Sequence, residues 1–149
     1  MWEKTLLISL LVLSVLVIAG CSSSSKGPTG AVTLEAGVVK IPLSEVTSTV
    51  KKYDYNAQGT KVTYFAVKGS DGKIRTAFDA CDVCGGKKGY TQNGGDIICK
   101  NCGKVFRIDG LGTKNKGYGC WPSFLSHEIK DGYVLIKTSE IAAGKHRFA

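Results

Sequence analysis

No window of useful length in this 149-residue chain repeats its apolar residues at helical spacing, which excludes a helical bundle. The one helical hint is a single turn after Ser139-Glu140, near the C-terminus. Equally missing are a Gly-rich phosphate loop of the right form, a nucleophile–His–acid constellation and a usable carboxylate pair. A hydrolase or transferase therefore has nothing to rest on, and electron transfer or metal handling fits better. The N-terminal segment carries Glu3-Lys4 and no paired Arg, so it is not the signal that exports a prefolded, cluster-loaded protein. The chain is basic, with a formal charge of +8, yet no basic cluster interleaves with aromatics. That pattern does not describe a nucleic-acid interface. The scattered lysines make a solvated surface open to anionic lipid or wall polymer.

Long apolar runs are also scarce, with one exception. Leu6 to Ala19 holds no charge and follows Lys4 in a short polar start, the pattern of a secretory signal too short to span a bilayer comfortably. It ends in Ile18-Ala19-Gly20-Cys21, which resembles a lipoprotein signal whose Cys21 receives the lipid. The expectation is a signal peptide over 1–20, a Ser/Gly-rich tether over 21–33 and one domain over 34–149. An uncleaved N-terminal anchor is the alternative, and it leaves the domain on the same side of the membrane. Cleavage removes one Glu and one Lys, so the charge stays at +8. The location implied is the outer face of the cytoplasmic membrane, reached through the lipid.

The remainder reads as a small, mainly β domain of hairpins. Val38 to Leu43 is a β-branched run. Lys61 to Val67 and Lys73 to Phe78 flank Ser70-Asp71-Gly72, an Asp-Gly signal for a turn with positive φ at both central residues. Asn93-Gly94-Gly95 marks a second turn between Gly89–Gln92 and Asp96–Ile98, and Asp131-Gly132 a third between Phe124–Ile129 and Tyr133–Lys137. One echo is visible: Gly37 to Val46 and Gly132 to Ile141 both run Gly, apolar strand, then Ser-Glu-Val/Ile. It predicts two equivalent strands, each ending in a Ser-capped turn.

The strongest signal is in the cysteines. Cys81-Asp82-Val83-Cys84-Gly85 and Cys99-Lys100-Asn101-Cys102-Gly103 are separated by fourteen residues. Two residues between cysteines let a tight turn aim both sulfurs at one point, and the Gly after each pair closes the knuckle. Each pair sits at a predicted strand end, and the hairpin between them folds one knuckle over the other, as in zinc ribbons and rubredoxin-type sites. Two disulfides or a redox dithiol are the alternatives. Four thiolates suit Zn(II), mononuclear Fe or an iron–sulfur cluster. An ion bound after export ranks Zn first, with Fe or a cluster second. A domain this small would gain from such a staple. Cys120 stands apart in Gly119-Cys120-Trp121-Pro122, as a buried small residue, a further soft ligand or a reactive thiol. His127 and His146 read as ordinary surface histidines, and Asp79 and Asp82 as supports or turn residues beside the first knuckle.

These residues resemble the FtrD-like family of membrane iron–sulfur-containing proteins, over about Val38 to Ile141. The resemblance rests on Val39-Lys40-Ile41-Pro42-Leu43, Val62-Thr63-Tyr64-Phe65-Ala66-Val67-Lys68 and Ala77-Phe78-Asp79-Ala80-Cys81-Asp82-Val83-Cys84-Gly85. It continues through Gly89-Tyr90, Ile98-Cys99-Lys100-Asn101-Cys102-Gly103, Phe106-Arg107-Ile108, Leu111-Gly112 and Gly119-Cys120-Trp121-Pro122. The chain departs from the family pattern at Trp121, where a small polar residue is usual. The resemblance implies metal binding at the envelope beside iron-transport components, with Cys81, Cys84, Cys99, Cys102 and Cys120 as the functional cysteines. Two readings follow. One is a redox or metal relay in iron acquisition; the other is a non-catalytic, zinc-stabilised module that binds an envelope partner.

Overall fold

The computed structural model describes residues 32–83, 87–112 and 120–149. The expected signal, most of the tether, Cys21 and Cys84 lie outside them. Among the described residues the chain is mainly β, as its sequence implied, and its strand pairs are antiparallel. No helix there is long and apolar enough to cross a membrane.

The strands form three sheets. The first holds β1 (Thr33–Glu35), β2 (Val38–Pro42), β10 (Glu128–Lys130) and β11 (Tyr133–Lys137), in the order β1-β2-β11-β10. The central sheet runs β3 (Lys51–Ala57), β4 (Thr60–Lys68), β5 (Ile74–Cys81) and β9 (Pro122–Phe124). The third is β6 (Tyr90–Asn93), β7 (Asp96–Cys99) and β8 (Val105–Arg107). A short helix, α1 (Thr138–Ala143), stands at the expected place and tightens into a 3₁₀ turn over Gly144–Arg147.

The echo proves to be structural. β2 and β11 lie side by side, with Ile41 opposite Val134 and Val39 opposite Ile136. Each leaves a two-residue turn and runs into a helical turn. The hydrogen bonds that join them are reciprocal: Leu43 N–H to Gly132 O and Thr138 N–H to Gly37 O, both 2.9 Å. The Ser caps do not form. Pro42 and Lys137 occupy the cap positions, and neither gives a side-chain cap bond, so Ser44 and Ser139 fall two residues too late.

Turn chemistry is only partly as expected. Asp131 and Gly132 both have positive φ, at 51° and 79°. The Ser70-Asp71-Gly72 reversal is wider, closed by Gly69 N–H to Lys73 O at 2.9 Å, and only Gly72 is left-handed. The Asp71 carboxylate is held there by Arg75, at 2.8 and 2.9 Å. At Asn93-Gly94-Gly95 only Gly94 is left-handed. The stretch taken as one strand from Phe124 to Ile129 is divided between two sheets. Phe124 pairs with Ala77, whereas Ile129 pairs with Val134. Leu125 makes the transfer by binding Thr76 through both its N–H and its carbonyl.

The central sheet is buried on both faces, so side chains alternate between two cores. Tyr64, Ala66, Phe78 and Ala80 face the first sheet and α1, packing with Val39, Ile41, Val134, Ile136 and Ile141. Phe65, Val67, Ala77 and Cys81 face the third sheet, packing with Tyr90, Ile97, Cys99, Phe106 and Cys120. The one-residue step between these sets sorts hydrocarbon to one side and sulfur to the other.

Candidate metal centre

Three of the predicted ligands meet in the second core. Cys81 is the last residue of β5 and is buried. The Val83 N–H donates to its Sγ at 3.3 Å, the bond a knuckle supplies to a thiolate. Cys99 closes β7, buried and directly opposite Tyr90 in register. Its N–H donates to Lys104 O and its carbonyl accepts from Gly103 N–H, both at 2.9 Å. Gly103 has φ +73°, the left-handed conformation expected of the residue that closes the second knuckle. Cys120 is buried, two residues before Pro122, which pairs with Cys81. Cys102 is exposed at the rim of the same knuckle.

Tyr90 ties these residues together. Its hydroxyl donates to the Cys120 carbonyl at 2.8 Å, and its ring meets Phe106 edge-on at 6.4 Å. The phenol is pushed far above its ordinary pKa, first by burial, then by the charges of Cys81 and Cys99, a hydrogen bond with Cys81, and the charge of Cys120. Cys81, Cys99 and Cys120 share one buried cluster with this ring, and burying its hydroxyl requires the partner it has.

Asp79 holds Tyr90 in place. It shares the sulfur-side face of β5 with Cys81, accepting from Tyr90 N–H at 2.8 Å and from Lys52 Nζ at 2.6 Å. Lys52 also binds the Tyr90 carbonyl at 2.8 Å. A Cβ at Gly89 would lie 2.4 Å from an Asp79 oxygen, so glycine is needed where the chain enters β6. Asp82 looks away from the core. Burial alone would raise its pKa, but hydrogen bonds from Ser123 and Arg147 hold it lower. Below the centre, the buried Arg75 guanidinium binds Asp71 and the carbonyls of Asp109 and Leu111, fixing the chain ahead of residue 113.

The histidines do not join the site. His127 Nδ1 meets Thr76 Oγ1 at 2.8 Å, and Thr76 lies out of step with Ala77 and Cys81 along β5. His146 bonds the carbonyl of Ala143 at the surface. Sequence reasoning named Asp79 only as a neighbour and passed over Tyr90, Lys52 and Arg75. A lone tyrosine has no spacing to mark it; the Cys99–Tyr90 pairing appears only once the strands are in register.

Three buried thiols with a fourth exposed beside them are a soft donor set that suits thiolate-held iron or zinc. Among the described residues no group of three or more His, Cys, Asp or Glu is assembled closely enough to hold an ion, and Cys84 lies outside them. The double metal knuckle expected from the cysteine spacing is therefore not shown among the described residues.

Fold and centre together define an antiparallel β protein with a cysteine-rich core beneath a hairpin. The chain belongs to the family of membrane iron-sulfur containing proteins, FtrD-like, whose model matches residues 46–148. The family is membrane-associated and iron-related. No curated protein matches the sequence. Among solved structures, a crystal structure of the quaternary ammonium Rieske monooxygenase CntA with an inhibitor is similar at 18% identity and a TM-score of 0.44. The match covers 66% of this chain and 30% of that one, so the chain spans less than a third of that protein's length.

Proposed function

We propose that this chain is an extracytoplasmic, lipid-anchored metal protein that relays electrons or metal in iron acquisition. Residues 1–20 serve as the export signal, Cys21 takes the lipid, residues 21–33 form the tether, and the domain over 34–149 stands at the outer face of the cytoplasmic membrane. The observation that carries the reading is the burial of Cys81, Cys99 and Cys120 in one cluster with Tyr90, whose hydroxyl donates to the Cys120 carbonyl. In this reading Cys81, Cys84, Cys99 and Cys102 hold the centre, and Cys120 is a fifth ligand or an adjoining thiol. The family description favours iron, as a cluster or a single ion, over the zinc ranked first on spacing alone.

Bound iron supplies a one-electron couple. The chain's own residues do the rest. The Val83 N–H stabilises the Cys81 thiolate, and the Tyr90 hydroxyl fixes the backbone at Cys120, two residues before β9. Phe106 and Trp121, 4.8 Å apart, help to keep water from the sulfurs, while Cys102 leaves one side open to a partner. The exposed side at Cys102 supports a relay, in which a partner must reach the centre.

The test is elemental and sulfide analysis with absorption spectroscopy on the full chain, purified anaerobically from its own membrane in detergent. Iron with a visible sulfur-to-iron band supports the relay. One colourless, tightly held zinc overturns it in favour of the zinc-stabilised binding module.

A further inference from the structure

A cavity of about 670 Å³, lined by no cysteine, opens where several turns meet. Its walls are the loop at Ser48 and Thr49, the end of β4 with Gly69 and Ser70, the β6–β7 turn, and the end of β8 from Arg107 to Asp109. Side-chain ties hold these walls together. Gln92 accepts from Val50 N–H at 2.7 Å and donates to Ser48 O and Gly94 O at 2.7 and 2.8 Å. Across the cavity, Ser70 N–H donates to Asp109 Oδ1 at 2.8 Å.

The unused groups in this lining are donors. The Lys68 ammonium and the Arg107 guanidinium make no ion pair or side-chain hydrogen bond with any described residue, and neither do the hydroxyls of Ser48 and Thr49. Asp109, the one carboxylate in the lining, is already satisfied by the Ser70 hydroxyl and N–H, which hold its pKa below the ordinary carboxylate value. Asp96 stands opposite Arg107 in register, yet no ion pair joins them. Behind Gly69, Arg75 is taken by Asp71 and by backbone carbonyls.

The kind of anion follows from which donors remain. Phosphate sites ordinarily rest on free backbone amides. Here those amides are spent: Lys68 N–H on Thr47 O, Gly69 N–H on Lys73 O, Ile108 N–H on Gly95 O and Thr49 N–H on Thr47 Oγ1. What is left is a planar fork and a point charge, and the fork matches a carboxylate. The two cations come from different strands, so they suit two anionic groups on one carbon frame. The volume is that of a small organic ligand. We infer that this cavity binds a small organic dicarboxylate, one end on the Arg107 fork and the other on Lys68, with the Ser48 and Thr49 hydroxyls donating beside them. The site goes beyond the relay reading and does not depend on it.

The test titrates succinate, butyrate and inorganic phosphate into the full chain in detergent, read by calorimetry and by backbone amide shifts. Succinate is expected to bind about tenfold tighter than butyrate, which keeps the carbon chain and loses one carboxylate. Its shifts should concentrate at Ser70, Gly94 and Gly95. Arg107→Gln and Lys68→Gln should each weaken succinate about tenfold, with melting temperature confirming that the variants fold. Arg107→Lys, which keeps the charge without the fork, should recover only part of the loss. Lys130→Gln/Lys137→Gln, which removes charge from the first sheet, should leave binding nearly unchanged. Succinate affinity that survives both Arg107→Gln and Lys68→Gln would overturn the proposal. So would an equal loss in the first-sheet variant, which would show net charge acting alone. Butyrate binding as tightly as succinate would remove the second carboxylate, and phosphate binding more tightly would reassign the cavity to that anion. Zinc in the centre would overturn the relay and leave each of these outcomes as it is.

Discussion

The two faces of the central sheet carry different kinds of core. The face toward the first sheet is sealed by hydrocarbon and stacked rings, with Tyr53 and Tyr64 at 5.6 Å and Phe78 against Phe148 at 6.4 Å. The opposite face holds Cys81, Cys99 and Cys120, and its order comes from polar ties: Asp79 to Tyr90, Tyr90 to Cys120, and Arg75 to the loop at 109–111. The first core stabilises mainly by removing apolar surface from water, which needs no particular ligand. The second adds directional ties to its apolar packing, so its order depends on particular polar partners as well as on burial. One strand can serve both because its side chains alternate, so β5 is a framework on one face and a site on the other.

The sharpest separation should come from Ile41→Ala against Cys99→Ser. Ile41 is fully buried, and its truncation should cost about 2–5 kcal/mol equally in metal-loaded and chelator-stripped protein. Cys99→Ser should lower only the loaded protein, bringing its melt down to that of the stripped wild type. Thermal melts of all four states decide this, and equal losses would mean that the two cores are one.

Next come the glycines. A Cβ at Gly144 would stand 2.3 Å from the Phe78 ring, and one at Gly89 2.4 Å from Asp79. Gly144→Ala and Gly89→Ala should each cost about 1–3 kcal/mol. Only Gly89→Ala should also weaken metal retention in a competition assay with a chelator.

Asp79→Asn keeps the shape but leaves Lys52 without its counter-ion, and a loss of about 1–3 kcal/mol in urea melts is expected. A variant as stable as wild type would show that the Tyr90 staple needs no charge.

A smaller effect belongs to His127, on the hydrocarbon side. Burial lowers its pKa below 6.5, and the hydrogen bond with the Leu125 backbone only partly offsets this. The unfolded chain therefore takes the proton first. The stability His127 contributes is complete above its unfolded pKa of 6.5 and is lost as pH falls through the lower folded value. His127→Gln should flatten the fall in urea midpoint between about pH 7 and pH 5, a span bracketing the ordinary histidine pKa.

The smallest change is Tyr53→Phe. The buried Tyr53 hydroxyl has no hydrogen-bond partner among the described residues, so its removal should leave stability equal or slightly higher.

What was legible in the sequence was whatever local chemistry dictates. The Val38–Leu43 and Tyr133–Lys137 runs and the Asp131-Gly132 turn depend on nearest neighbours, and each was read from a few residues. β3 was missed: Lys51-Lys52-Tyr53-Asp54-Tyr55-Asn56-Ala57 mixes charge and aromatics, and it is a strand because β4 pairs along it. The Ala36-Gly37 and Gln58-Gly59 hairpins were missed for a related reason. Their first residues, left-handed at 46° and 54°, are not the Asn or Asp that announce such turns. Tyr90 and Arg75 act through partners 30 and 36 residues away, at Cys120 and Leu111, and no local pattern reports that.

The pairing of β2 with β11 has a kinetic consequence. Two strands almost a hundred residues apart must meet before the first sheet is complete, and β2 lacks its β11 partner until residues 133–137 arrive. Contacts of such long sequence separation form late. Both knuckles and Cys120 are already synthesised by then, so the sulfur side can be filled while the hydrocarbon side is still open. The last strand acts as a latch, and a chain truncated before Tyr133 should leave β1 and β2 unprotected in amide exchange even with metal in place.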